Sequence, residues 1–209
     1  MKPFSIRIFF SLPVLFPSLY LFSQKPLPVH AIQILGGYSK HGSGDLNGIV
    51  FGAGYRKYIF RQFSLNFELR STINDGKETI LVTNNYYSRD ASIRYLTAGV
   101  QLGINGGFSI IRNSKHEFLI SLGGFGRYQS ETPDGYELYY PNRTGQPTVL
   151  VEFENVNPQE TFSVGVLFQL QYNFAIKNKF LIGFGPGIQT DTNGDIIPQV
   201  SLSLGRRLL

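Results

Sequence analysis

The amino-acid sequence predicts an all-β fold, an eight-stranded antiparallel up-and-down transmembrane β-barrel. Three observations carry that expectation. Apolar and polar residues alternate with period two in segments of about 9 to 13 residues bounded by turn signals. The polar face of each segment holds mainly Gly, Ser, Gln, Thr and Asn, too little charge for a surface that meets water. Connections alternate short and long, which puts the longest ones at one end of a barrel.

The N-terminus comes first. Lys2 and Arg7 precede the apolar run Ile8 to Phe22, the layout of a secretory signal peptide. Pro13 and Pro17 interrupt the run, which falls short of the roughly 20 apolar residues a spanning helix needs. The expected signal peptide is residues 1–23, with cleavage as late as Ala31, and residues 24–209 form the barrel domain.

Eight strands follow. Ile32 to Tyr38 is the first. In Ile49 to Ile59, the set Ile49, Phe51, Ala53, Tyr55 and Ile59 opposes Gly52, Gly54 and Arg56. Phe63, Leu65, Phe67 and Leu69 oppose Ser64, Asn66, Glu68 and Arg70 in the third. Leu96 to Ile104, Phe118 to Tyr128, Thr161 to Tyr172, Phe180 to Ile188 and Gln199 to Gly205 repeat the pattern. The longest connections, Ile73–Ala91 and Gln129–Gln159, share one end, which outer-membrane barrels turn outward. Tyr55, Tyr58, Phe60, Phe63, Tyr95, Phe118, Tyr128, Tyr172, Phe174 and Phe180 are placed for aromatic girdles.

Alternation alone also fits a secreted lipocalin-like carrier, so the faces decide. Eight strands enclose an interior just wide enough for side chains to fill it. Small residues with a few large groups suit such a lumen, and the nearly uncharged apolar faces suit hydrocarbon. Glycines leave room for Arg56, Arg127 and Phe125. Arg56, Glu68, Arg70 and Arg127 are the expected lumen charge network, because an unpaired buried charge is costly.

The pattern as a whole, with the signal segment, the strands and the ending Val200-Ser-Leu-Ser-Leu-Gly-Arg-Arg-Leu-Leu209, resembles the small outer-membrane β-barrel proteins of OmpA/OmpX type in the porin-like superfamily. The resemblance implies a bacterial outer-membrane location. It also implies outer-membrane lipid, lipopolysaccharide and the barrel-insertion machinery as partners. Members usually end in an aromatic residue, whereas this chain ends in Leu209.

Composition narrows the function. The absence of Cys excludes disulfides, thiolate metal sites, a Cys nucleophile and a lipoprotein anchor. Of the formal charge of +5, two units belong to the signal segment and the remaining basic residues are scattered, so no nucleic-acid footprint exists. His41, Ser43 and Asp45 could be read as a triad at the outer rim. Their spacing in a Gly-rich stretch fits a solvated external loop better. Asp191-Thr-Asn-Gly-Asp195 starts like a calcium loop but lacks its Gly and Glu positions. Asn193-Gly194 reads instead as a hairpin turn with positive φ. Tyr136, Tyr139 and Tyr140, in the longest loop, are candidates for contact with a partner. No catalytic residue, cofactor or metal is expected. The functional expectation is a non-enzymatic protein acting through external loops; the alternatives are a lipid-modifying rim enzyme, a narrow channel or a secreted carrier.

Overall fold

A computed structural model describes residues 27–208 except 43–45, 85–86, 91, 133–135, 148 and 154–156. The export signal expected over residues 1–23 lies outside these, as do Ser43 and Asp45. The elements in chain order begin with β1 (His30–His41), β2 (Leu46–Tyr58) and β3 (Phe63–Glu78). A small hairpin, β4 (Leu81–Asn84) and β5 (Tyr87–Asp90), leads to β6 (Ile93–Arg112) and β7 (His116–Glu131). Then come β8 (Tyr136–Tyr139), the single-turn α1 (Pro141–Thr144) and β9 (Leu150–Phe153). The chain finishes with β10 (Gln159–Ile176), β11 (Phe180–Asp191) and β12 (Ile196–Leu208).

Eight of these strands close into one antiparallel up-and-down barrel, in the order β1-β12-β11-β10-β7-β6-β3-β2. The seam is β1 against β12, from His30 opposite Leu208 to Ser39 opposite Gln199. The chain is thus an eight-stranded transmembrane β-barrel, as its sequence predicts. Closure pairs the backbone of every barrel strand on both sides, the condition for crossing hydrocarbon with strands.

The outward face is apolar from strand to strand. Ile34, Leu69, Leu102, Ile104, Leu122 and Leu202 are each more than half exposed. Their neighbours in sequence point inward and are buried: Arg70, Gln101, Asn105, Ser121, Ser201 and Ser203. A water-soluble domain hides the first set and exposes the second. Here lipid must be the solvent of the outer face.

Several strands are longer than the alternation suggests. β3 continues to Glu78 and β6 starts at Ile93, so much of the expected loop 73–91 is a two-stranded extension of the barrel. A two-pronged pair from Arg94 to Asp75, at 2.8 and 2.6 Å, clips this extension on its outer side. Charged residues break the apolar pattern there, but cross-strand pairing still holds the ladder.

The turns also differ in detail. Asn193 is not left-handed; only Gly194 is, with φ 85°. Gly194 N–H donates to the Asp191 carbonyl at 3.1 Å, and Asp191 Oδ1 accepts from the Asn193 N–H at 3.0 Å. The extra residue in this connection favours a turn followed by one left-handed glycine over the two-residue mirror-image turn. The residues with both φ values positive are Lys177 (50°) and Asn178 (61°), joining β10 to β11 without glycine.

A register shift between Ser109 and Ile111 marks a bulge against β7. Ile110 and Ile111 consequently both face outward, at 49% and 52% exposure, and Arg112 is turned back toward the lumen. Tyr58 corrects the girdle assignment. It is 5% exposed and points inward, since it shares the parity of Arg56. Tyr55, Phe60, Phe63, Tyr172, Phe174 and Phe180 do face outward near the end with the short turns, joined by Phe108. Tyr128 faces outward as well, whereas Tyr95 shares the inward parity of buried Thr97 and Gln101.

Substituting Leu202→Arg at the middle of β12 should cost about 2–4 kcal/mol of folding free energy, as expected for a cation at mid-membrane depth. Urea titration of the chain refolded into lipid vesicles measures this; a change below about 0.5 kcal/mol would show that Leu202 does not meet hydrocarbon.

Candidate functional site

Two regions carry chemistry: the lumen, and the end of the barrel where the long connections gather. The lumen is filled in layers. Nearest the short turns, Glu117 is fully buried and accepts hydrogen bonds from Tyr58 Oη at 2.5 Å, Ser109 Oγ at 2.9 Å and Asn173 Nδ2 at 3.1 Å. Arg56 reaches Glu117 Oε2 at 3.3 Å and also donates to Asn66 at 2.7 Å and Gln171 at 2.6 Å. Arg112 lies over the Tyr58 ring at 3.4 Å and 3.9 Å from Glu117. Arg207 seals this end, donating to the Ser114 carbonyl at 3.0 Å and Asn178 Oδ1 at 3.2 Å.

The next layer is Glu68 with Arg70, bonded to each other; Arg70 also donates to Gln169 at 2.6 Å, and Asn105 donates to Glu68 at 3.2 Å. Gln101 and Gln189 exchange amide hydrogen bonds across the barrel at 3.1 and 3.0 Å. Above them, Arg127 donates to Thr72 at 3.2 Å and lies 3.8 Å from Asp191. Packing this tight requires missing side chains. A Cβ at Gly99 would stand 2.6 Å from Arg127 Nε, and one at Gly165 would stand 2.4 Å from Phe125 Cζ.

The four lumen charges singled out by sequence are all inside, each at most 5% exposed. The structure brings Glu68 and Arg70 together but gives Arg56 and Arg127 other carboxylates, Glu117 and Asp191. Both acids were legible. Glu117 has the inward parity of Ser121 and Arg127 one step beyond the apolar start of β7. Asp191 continues the inward series Gly185, Gly187, Gln189 of β11.

His41 needs the largest correction. It is not on a solvated loop: it ends β1, is fully buried, and has Nε2 3.2 Å from Asp195 Oδ2 inside the mouth of the barrel. Its parity matches Leu35 and Ser39, both inward and buried. The other two members of the suggested triad, Ser43 and Asp45, lie outside the described residues.

The loop end carries the two extra hairpins. Tyr139 is on β8, where its hydroxyl donates to Glu137, and Tyr140 is 47% exposed at the start of α1. The side chain of Tyr136 lies outside the described residues. The Glu137 carboxylate favours the neutral phenol and pushes the Tyr139 pKa up to about 12. In the other hairpin, the Ser92 hydroxyl and backbone N–H, the latter at 2.9 Å, hold the Asp90 carboxyl below its ordinary value.

Among solved structures, the chain is similar to Ail, the attachment invasion locus protein of Yersinia pestis. The TM-score is 0.53 at 12% identity, over 88% of this chain and 100% of that one. Neisserial surface protein A gives a TM-score of 0.53 at 10% identity, with the same coverage of each chain. At such identities the likeness is one of architecture, that of the small eight-stranded outer-membrane barrels. No protein-family model and no curated protein sequence matches the chain.

Two measurements test this geometry. Glu117→Ala leaves two guanidinium groups facing a buried gap and should lower folding free energy by about 3–5 kcal/mol, read from urea unfolding in vesicles; a loss below about 1 kcal/mol would show that the cluster does not hold the barrel. Tyr139 should ionise near pH 12, so its hydrogen bond is present below the ordinary phenol range and lost as pH rises through that value. The tyrosinate absorbance difference between the native chain and Tyr139→Phe should appear there, and Glu137→Gln should move it back toward pH 10.

Proposed function

We propose that this is a non-enzymatic outer-membrane surface protein whose barrel is an anchor and whose loop end makes contacts with lipopolysaccharide, host surfaces or other proteins. The observation that carries the reading is the contrast between the two regions. The lumen is crossed by buried ion pairs and hydrogen bonds from Arg207 up to Arg127, a packed interior that suits an anchor better than a substrate path. Both added hairpins, β4–β5 and β8–β9, stand at the other end. Construction effort has gone into one rim.

The neighbours support the same reading. One is an attachment invasion locus protein, also solved with the heparin analogue sucrose octasulfate, and the other is a surface protein. The long-connection end faces outward in this proposal, and insertion depends on the barrel-assembly machinery. Segment 132–158, with half-buried Tyr139 and exposed Tyr140, is the leading contact surface, because accessible tyrosines give large contact area at low entropic cost.

The test replaces residues 132–158 by a short Gly-Ser turn. Cells displaying the native chain should bind lipopolysaccharide-bearing vesicles or host-cell monolayers. The shortened chain should lose that binding, yet still migrate faster on gels before boiling. Equal binding by both chains would overturn the role given to this loop. A steady single-channel conductance, or an altered lipid A profile on overexpression, would favour a channel or a rim enzyme.

A further inference from the structure

We propose that His41, Glu131 and Asp195 form a binding site for a divalent transition-metal ion of the zinc class, set in the loop-end mouth of the barrel. One donor atom from each residue lies within 4.8 Å of the other two. His41 is the last residue of β1, Glu131 the last of β7, and Asp195 immediately precedes β12. β12 adjoins β1, whereas β11 and β10 separate it from β7. The three donors therefore converge from opposite walls, and an ion there would tie the walls together.

The second observation is the state of the imidazole. His41 is fully buried, and among the described residues neither of its ring nitrogens makes a hydrogen bond. Nε2 faces Asp195 Oδ2 at 3.2 Å without hydrogen-bond geometry. Burying a polar ring without a hydrogen bond is costly, and a metal bond relieves that cost at one nitrogen. Gln129, 1% exposed, is aimed into the same space. Its amide nitrogen donates to Glu131 and lies 3.5 Å from Asp195 Oδ2, while its Oε1 is a buried acceptor without a hydrogen bond.

The donor chemistry selects the ion. One imidazole with two carboxylates suits zinc and its divalent neighbours; calcium and magnesium prefer oxygen alone, and the chain has no thiolate. Zinc bonds of about 2.0–2.2 Å place tetrahedral donors roughly 3.3–3.6 Å apart, so the side chains would draw in by about 1 Å. The long Glu131 arm, half-buried at the rim, can supply that movement. His41 paired with Asp195 alone, Nε2 standing 3.2 Å from Oδ2, is the competing arrangement, and it takes up no zinc.

The experiment uses the full chain refolded in detergent micelles, with folding checked by its mobility before boiling. Zinc alone is added and followed by calorimetry, and cobalt by its visible absorption. One ion per folded chain is expected. His41→Gln and Glu131→Gln should each weaken binding by more than about tenfold while mobility is retained. Nitrogen NMR of the imidazoles in the native chain decides the matter if these variants do not fold: zinc should shift one of the three histidines. That signal should survive in His30→Asn and His116→Asn. Failure of the folded chain to take zinc or cobalt, a shift confined to His30 or His116, or undiminished binding by folded His41→Gln would each overturn the proposal.

Discussion

The structure depends on one constraint: a charge turned into the lumen must find its partner there, because the wall around it is closed and lipid lies beyond. Each wall residue has only two directions available. Outward positions accept Ile, Leu, Val and Phe; inward positions accept what can be paired or fitted. Arg56 has Glu117, Arg70 has Glu68 and Arg127 has Asp191. Amides from Gln101, Gln169, Gln171 and Gln189 fill the space between. Inward glycines follow from the same constraint, since eight strands leave too little volume for a side chain opposite every arginine.

Much of this was legible because a strand has a period of two. Once Leu65 and Leu69 are assigned to lipid, Glu68 and Arg70 must face inward, and the argument needs no neighbour. What parity does not give is partners, since pairing across the lumen joins strands far apart in sequence. Arg56 and Gln171 are 115 residues apart, and Gln101 and Gln189 are 88 apart. Parity also stopped too soon at strand ends. His41, Glu117, Asp191 and Asp195 continue inward series, but their polarity and nearby turn residues made them look like loop.

Two features broke the rule itself. The bulge at Ser109–Ile111 inserts a residue, so counting from Leu102 would send Arg112 into lipid when it in fact caps Tyr58. No glycine marks it. The Lys177–Asn178 turn adopts positive φ at two residues with side chains, a backbone that asparagine tolerates and lysine does so less readily. By contrast, architectural identity survives at 12% identity to Ail. Alternation, closure and strand number therefore specify the barrel, and individual residues are free to specialise its interior and its rim.

The central claim is that lipid touches the apolar face while the lumen stays closed to it. The chain has no tryptophan, so a single introduced one reports without background. Leu102→Trp faces outward and Leu167→Trp faces inward. In vesicles whose acyl chains carry bromine near the bilayer centre, fluorescence at position 102 should be strongly quenched and that at position 167 nearly unchanged. Equal quenching at both, or none at position 102, would contradict the account.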